Sequence, residues 1–276
     1  MNVVVETSPP NAVAVADMPP AGSAARLIVN RISKSFGDMI AVDDVSCSVS
    51  GREFVAVLGP SGSGKTTLFR CIAGLITPDS GSIHIDGDDI ASLQGRRRRR
   101  IAVVFQQFNL VNRLSALDNV LAGRLGYLSA WRGTFRQFSR SDRLLAMECL
   151  DRVGLLSKAA QRADTLSGGQ QQRVAIARAL CQQPDLIIAD EPVASLDPTT
   201  GGEVLDLLRD IARSDGVGVA CSLHQVHFAR NYADRIVGLA RGRVVIDCQA
   251  DAFDEHAYQS LYETRPARMA ARGTIS

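Results

Sequence analysis

The residues Gly59-Pro60-Ser61-Gly62-Ser63-Gly64-Lys65-Thr66 constrain this chain more than any other stretch. They fit the spacing Gly-x-x-x-x-Gly-Lys-Ser/Thr, in which a glycine-rich loop joins a strand to a helix. Both flanks agree. Phe54-Val55-Ala56-Val57-Leu58 is an apolar run of buried-strand type. Leu68, Ile72 and Leu75 recur at helical spacing after the loop, and Gly74 offers a stop. Glycines let backbone N–H groups converge where a Cβ would block the approach, and the helix start adds partial positive charge. The combination is a cradle for a polyphosphate. In it Lys65 reaches the β- and γ-phosphates, and the Thr66 hydroxyl can ligate Mg²⁺.

The 276 residues suffice for one large α/β domain or two small ones. A formal net charge of +2 gives no global nucleic-acid footprint. Cys47, Cys71, Cys149, Cys181, Cys221 and Cys248 are far apart and form no C-x-x-C pair. They show neither zinc spacing nor a disulfide framework, and are expected to be small buried hydrophobes in a reducing compartment. No apolar run reaches the length of a membrane span, so work at a membrane would go through a partner.

Residues 1–25, rich in Ala, Pro and Val, lack a basic n-region and a continuous apolar h-region and are expected to form a disordered leader rather than a secretory signal. Residues 261–276, with Arg265, Arg268 and Arg272, are expected to form a loose tail. Arg96–Arg100 is expected to be a solvated face whose charge could favour an anionic membrane surface.

Between these ends, residues 26–260 alternate strand and helix patterns. From 26 to 89 the pattern is short strands with turns, and Ser82–Gly87 ends in an Asp-Gly hairpin signal. Ile101–Phe105 is a further buried strand. Residues 107–165 change character: Leu144, Met147 and Leu150 form a helical stripe that Gly154 ends, so a helical insert is expected. A helix bearing Val174, Ala177 and Leu180 follows. Then come strands at 186–189 and 217–222, a helix with Val204, Leu207, Leu208 and Ile211 between them, and a hairpin around Arg241-Gly242-Arg243. Strands alternating with helices imply a largely parallel sheet.

Leu186–Ala189 ends in Asp190 and Glu191. Ligands gather at the carboxyl end of such a strand. There Asp190 would hold Mg²⁺ and Glu191 would orient and deprotonate an attacking water; the alternative is a pair of acids capping a strand end. Leu166-Ser167-Gly168-Gly169-Gln170 also has two readings. Ser167 and Gln170 make a capping box, and the same helix start is an anion site. The two are compatible, and local physics does not choose between them.

Leu166–Gln170, continued by Gln171-Gln172-Arg173-Val174-Ala175-Ile176-Ala177-Arg178-Ala179-Leu180, resembles the signature of ATP-binding cassette (ABC) transporter ATPases. The other motifs of that family stand in order over roughly 27–247. Gln106 resembles the Q-loop glutamine, although Gln107 leaves its register to the family pattern. Ser195-Leu196-Asp197 resembles the D-loop, although Asp197 before Pro198 is also an ordinary helix cap. His224 resembles the switch histidine, with a core histidine as the alternative. Phe36 resembles the adenine-stacking aromatic, with plain core as the alternative.

The resemblance implies a RecA-like P-loop NTPase core of α/β class. That core has a mainly parallel sheet, an antiparallel β subdomain and an α-helical signature subdomain. It implies ATP and Mg²⁺ as cofactors. Catalysis would fall to Glu191, His224 and Gln106, and the metal to Thr66, Gln106 and Asp190. The nucleotide would be held by Phe36, by Gly59, Pro60, Ser61, Gly62, Ser63, Gly64, Lys65, Thr66 and Thr67, and by Ser167, Gly168, Gly169, Gln170 and Asp197. Ser167–Gln170 would act across a head-to-tail homodimer with two ATPs sandwiched between the copies.

Residues 112–138, Ser222-Leu223-His224-Gln225-Val226 and Tyr232–Leu239 are similar to importer cassettes of the phosphonate branch. This likeness implies a subunit on the cytoplasmic face of a bacterial inner membrane. Its partners would be two permease subunits and a periplasmic binding protein, with no nucleic acid. Phosphate, phosphite or polar amino acids are alternative cargoes. A soluble cassette acting on nucleic acid or the ribosome is the reading from another class.

Overall fold

Runs that are apolar along their whole length become the middle of a sheet, because only a central strand has both faces covered. In the computed structural model, which describes residues 25–92, 99–129, 131, 133 and 137–262, three such runs take that place. They are Phe54–Leu58 (β3), Leu186–Asp190 (β7) and Gly218–Ser222 (β8). The six-stranded sheet runs β10-β9-β3-β8-β7-β6. Ile101–Val104 (β6) forms one edge, and the hairpin Arg235–Ala240 (β9) and Arg243–Gln249 (β10) the other. All neighbours are parallel except β9 and β10. Side-chain alternation feeds two cores. Phe54, Ala56, Leu58, Ile187, Ala189, Val219 and Cys221 join one, and Val55, Val57, Ile188 and Ala220 the other.

A four-stranded antiparallel sheet, β2-β1-β4-β5, packs onto the second core. Its strands Ala25–Phe36 (β1) and Met39–Ser50 (β2) span 12 residues each, where the sequence pattern suggests short ones. The pairing shifts register within them, and Arg31 (φ 49°) and Asp44 (φ 52°) adopt left-handed backbone near the shifts. An ion pair at 2.9 Å links these two residues. Such irregularities break the alternation while the strand continues. Ser80–Ile85 (β4) and Asp88–Asp89 (β5) form the hairpin that Asp86-Gly87 signals.

Lys65–Ile72 (α1) buries Leu68 and Ile72. Gly74 ends it with φ 66°, so Leu75 falls beyond the helix and is 60% exposed rather than part of its stripe. Within the stretch where a helical insert is expected, Ala116–Leu121 (α2) and Arg140–Arg152 (α3) pack on Gly168–Cys181 (α4). The buried stripe of α3 is Asp142, Ala146, Cys149 and Leu150, and Leu144 is exposed. Asp142 can sit inward because Arg124 pairs with it at 2.9 Å and the Ser139 hydroxyl donates to it at 2.7 Å.

Pro198–Asp215 (α5) and Val226–Tyr232 (α6) follow the central strands. Glu255–Tyr262 (α7) corrects the expected start of the tail, since Leu261 is fully buried. Ala25 likewise already belongs to β1. The remainder of the expected leader and tail lies outside the described residues. All six cysteines are free thiols, four of them buried. Among the described residues no helix is long and apolar enough to cross a membrane.

Of the arginine run, Arg96, Arg97 and Arg98 lie outside the described residues. Arg99 and Arg100 are half-buried, which corrects the expected solvated face at these two positions. Arg100 donates to Asp185 at 2.6 Å and to Asp88 at 3.2 Å, and also pairs with Asp86. It therefore ties the β4–β5 hairpin to the segment that enters β7. Arg99 stacks on Tyr127 at 4.1 Å. Both guanidinium groups are spent inside the fold rather than offered to a membrane.

Candidate active site

The glycine loop sits at the carboxyl end of β3, which lies between β9 and β8 in the sheet. Its backbone demands the glycines. A Cβ at Gly64 (φ 106°) would meet the Ala41 carbonyl oxygen at 2.3 Å, whereas at Gly62 (φ 78°) it would meet nothing within 4 Å. Gly64 thus serves packing, while Gly62 keeps the loop's open side clear. The Gly242 N–H, in the β9–β10 turn, donates to the Ser63 carbonyl at 2.9 Å, and the Asp43 N–H donates to the Gly242 carbonyl at 2.8 Å. The loop is therefore braced from β2 and from the hairpin.

Lys65 is only 5% exposed, and its ammonium donates to the carbonyls of Gly59 (2.8 Å) and Pro60 (3.2 Å). Burial pushes it below the usual lysine range, and the negative charges of Glu191 and Asp190 work against that shift. The two acids therefore act on the lysine across the loop. The Ser63 hydroxyl is buried with no hydrogen-bond partner among the described residues. A cleft of ≈ 330 Å³ opens above the loop, lined by Ser61–Thr67, by Met39, Ile40 and Ala41 of β2, and by Glu191 and His224. A basic side chain and an unsatisfied hydroxyl beside the cleft suit an oxygen-rich anion.

Glu191 follows the last residue of β7 and adopts φ 51°. Its Oε1 lies 2.6 Å from His224 Nε2. With the carboxylate ionised it can only accept, so Nε2 carries the hydrogen. The core-histidine alternative for His224 does not hold, because its side chain is 43% exposed. Asp190 receives a hydrogen bond on Oδ1 from Ser222 Oγ at 2.8 Å.

Other sequence-derived candidates stand apart from this cleft. Gln106 is exposed just beyond β6. Phe36 is 46% exposed, so it is not core, and Lys34 Nζ lies 5.7 Å from its ring. Ser167 and Gln170 form the capping box, with Gln170 N–H donating to Ser167 Oγ at 3.4 Å and Ser167 N–H to Gln170 Oε1 at 3.2 Å. Asp197 caps α5 by accepting from the Thr200 N–H at 3.0 Å, and Pro198 is the first helical residue. These two helix starts lie side by side, since a Cβ on Gly168 would sit 3.5 Å from Leu196 Cδ2. They form one surface outside the lining of the cleft.

Thr66 and Asp190 offer hydroxyl and carboxylate oxygens, hard donors that fit Mg²⁺, whereas the Gln106 amide is exposed beyond β6 and stands apart from the cleft. Among the described residues no three His, Cys, Asp or Glu cluster to hold an ion. An Mg²⁺ here would need phosphate oxygens and water to complete its shell, as is usual for this ion. Sequence reasoning missed Ser222, whose hydroxyl carries no local pattern. It also missed Gly242 and the Met39–Ala41 wall, which only tertiary packing brings to the loop.

Residues 42–194 match the ABC transporter family. The chain is 49% identical over 241 residues to the phosphonates import ATP-binding protein PhnC of Bradyrhizobium diazoefficiens, covering 86% of this chain and 90% of that one. It is 48% identical over 250 residues to the hypophosphite import ATP-binding protein HtxD of Stutzerimonas stutzeri, covering 89% of this chain and 73% of that one. Among solved structures, a dimeric post-hydrolysis ATP-binding cassette bound to ADP and Pi superposes with a TM-score of 0.70 at 36% identity, covering 81% of this chain and 98% of the other.

Proposed function

This chain belongs to the ABC transporter family and is an ATP-hydrolysing cassette, and from that premise we propose that it powers phosphonate uptake in a bacterium. The observation that carries the catalytic part is the convergence of Lys65, Glu191 and His224 on one cleft above the phosphate loop. What supports the cargo is the 49% identity to a phosphonates import subunit over most of both chains. In this reading two copies serve two permease subunits at the cytoplasmic face of the inner membrane, and a periplasmic binding protein delivers the cargo.

Bound ATP presents the transferable phosphoryl group, and Mg²⁺ held by Thr66 and Asp190 would spread charge over its oxygens. The chain's own residues do the rest. The Lys65 ammonium donates to the phosphate oxygens, and the loop amides and the positive end of α1 add to it. The Glu191 carboxylate takes the proton of the attacking water. His224 holds that carboxylate in place at 2.6 Å and lines the same cleft. Phe36 offers its exposed ring to the adenine. The helix start at Ser167–Gln170 and Asp197 of a second copy close over the nucleotide, which excludes water and drives the permease.

Lys65→Ala should weaken ATP binding by about 30-fold, since a hydrogen bond from a charged group contributes about 2 kcal/mol. Calorimetric titration with ATP checks this; an unchanged affinity would remove Lys65 from the phosphate site. The cargo is tested by growth of a deletion strain on phosphonate as sole phosphorus source. Loss of growth, restored by the gene, is expected. A second reading keeps the mechanism and changes the cargo to a reduced inorganic phosphorus oxyanion, on the 48% identity to a hypophosphite import subunit. Growth retained on phosphonate but lost on hypophosphite would select it.

A further inference from the structure

We propose that Ser222 is a positioning residue that holds Asp190 and Glu191 in their working geometry; the proposal rests on the reading of those two acids given above. Ser222 is the last residue of β8 and pairs in register with Asp190, the last residue of β7. It is fully buried, and a buried hydroxyl needs partners on both its donor and its acceptor side. It has both. Its O–H donates to Asp190 Oδ1 at 2.8 Å, and its oxygen accepts from the Glu191 N–H at 2.8 Å.

The second bond is the unusual one. The parallel ladder between β7 and β8 ends at Asp190. Glu191 then turns into left-handed backbone at φ 51°, a conformation that a non-glycine residue keeps only when its surroundings hold it. Turning out of the ladder costs the Glu191 amide its strand partner, and the Ser222 hydroxyl replaces it. The turn aims the Glu191 side chain at His224, two residues beyond Ser222 on the same strand end. One hydroxyl thus sets the orientation of the metal-side carboxylate and the backbone of the base together. It touches neither the cleft nor the substrate, and acts only through its two partners.

Alanine at this position removes the donor from a carboxylate and the acceptor from a half-buried amide at once. Cysteine keeps the size but bonds weakly through sulfur. Threonine keeps the hydroxyl, and a cavity of ≈ 30 Å³ bordered by Ser222, Leu223, Val193, Glu191 and His224 lies beside it.

The experiment compares Ser222→Ala, Ser222→Cys and Ser222→Thr, with Glu191→Gln as control. It measures kcat and KM for ATP, the Kd for ATP without Mg²⁺, and thermal stability. The expected result is a kcat at least tenfold lower for Ala and Cys, with the Mg²⁺-free Kd within twofold of wild type and kcat restored by Thr to within threefold. If Ala fails to fold, the near-isosteric Cys variant carries the test. A folded Ala or Cys variant with kcat within twofold of wild type overturns the proposal, as does a Thr variant no better than Ala. Wild-type turnover in Glu191→Gln would instead overturn the reading of the base, so the two failures are distinguishable.

Discussion

Glu191→Gln should retain ATP binding and lose turnover by about 10³-fold, the range expected when a positioned general base is removed. The substitution is close to isosteric. The amide oxygen can still accept from His224 Nε2, so the 2.6 Å contact and the φ of 51° need not change. Only the capacity to take a proton is lost. The variant should therefore bind nucleotide, close, and remain closed, because reopening follows phosphate release. Size-exclusion chromatography with ATP should show a dimer that persists for hours, where wild type returns to monomer as it hydrolyses. Phosphate release within tenfold of wild type would mean that another group activates the water.

How far the fold was legible in the sequence depended on whether a residue's role was local. The phosphate loop was legible because its glycines answer a backbone demand that holds wherever the motif occurs: Gly62 and Gly64 both adopt positive φ. Phe54–Leu58 and Leu186–Asp190 were legible because strands buried on both faces need apolar residues at every position. The capping box at Ser167 and the Asp197-Pro198 start were legible for the same local reason.

Periodicity failed where a tertiary partner overrode hydropathy. In α3 the presence of Leu144, Leu145, Met147 and Leu150 allows two adjacent stripes, and Arg124 decides between them by drawing Asp142 inward. In β1 and β2 the irregular pairing hid two long strands behind broken alternation. At Arg100 charge density misled because it says nothing about partners, and the three carboxylates around it come from residues 86, 88 and 185. Ser222 was invisible for the opposite reason. A serine at a strand end is unremarkable until the neighbouring strand puts a carboxylate and an orphaned amide beside it.

Ser167→Arg tests whether the reaction centre is shared between two copies, and its expected effect is a loss of turnover of about 10²–10³-fold, comparable to removing preorganised donors from a charged transition state. Ser167 is exposed at the start of α4 and does not line the cleft of its own chain. A monomer that carried out the whole reaction would not be affected by a side chain there, apart from losing a helix cap at about 1 kcal/mol. In the shared arrangement the guanidinium fills the space that the partner's nucleotide needs. ATP affinity should then stay within about twofold of wild type while ATP-dependent dimerisation disappears. Ser167→Ala separates the two effects, since it loses the same cap without adding bulk and should keep far more activity. Mixed dimers of Ser167→Arg with wild type sharpen the test. One of their two sites joins an intact cleft to an intact helix start, and the other is blocked, so nucleotide should be trapped at one site per dimer. Two sites trapped per mixed dimer, or wild-type turnover in the pure variant, would place the complete reaction centre within a single chain.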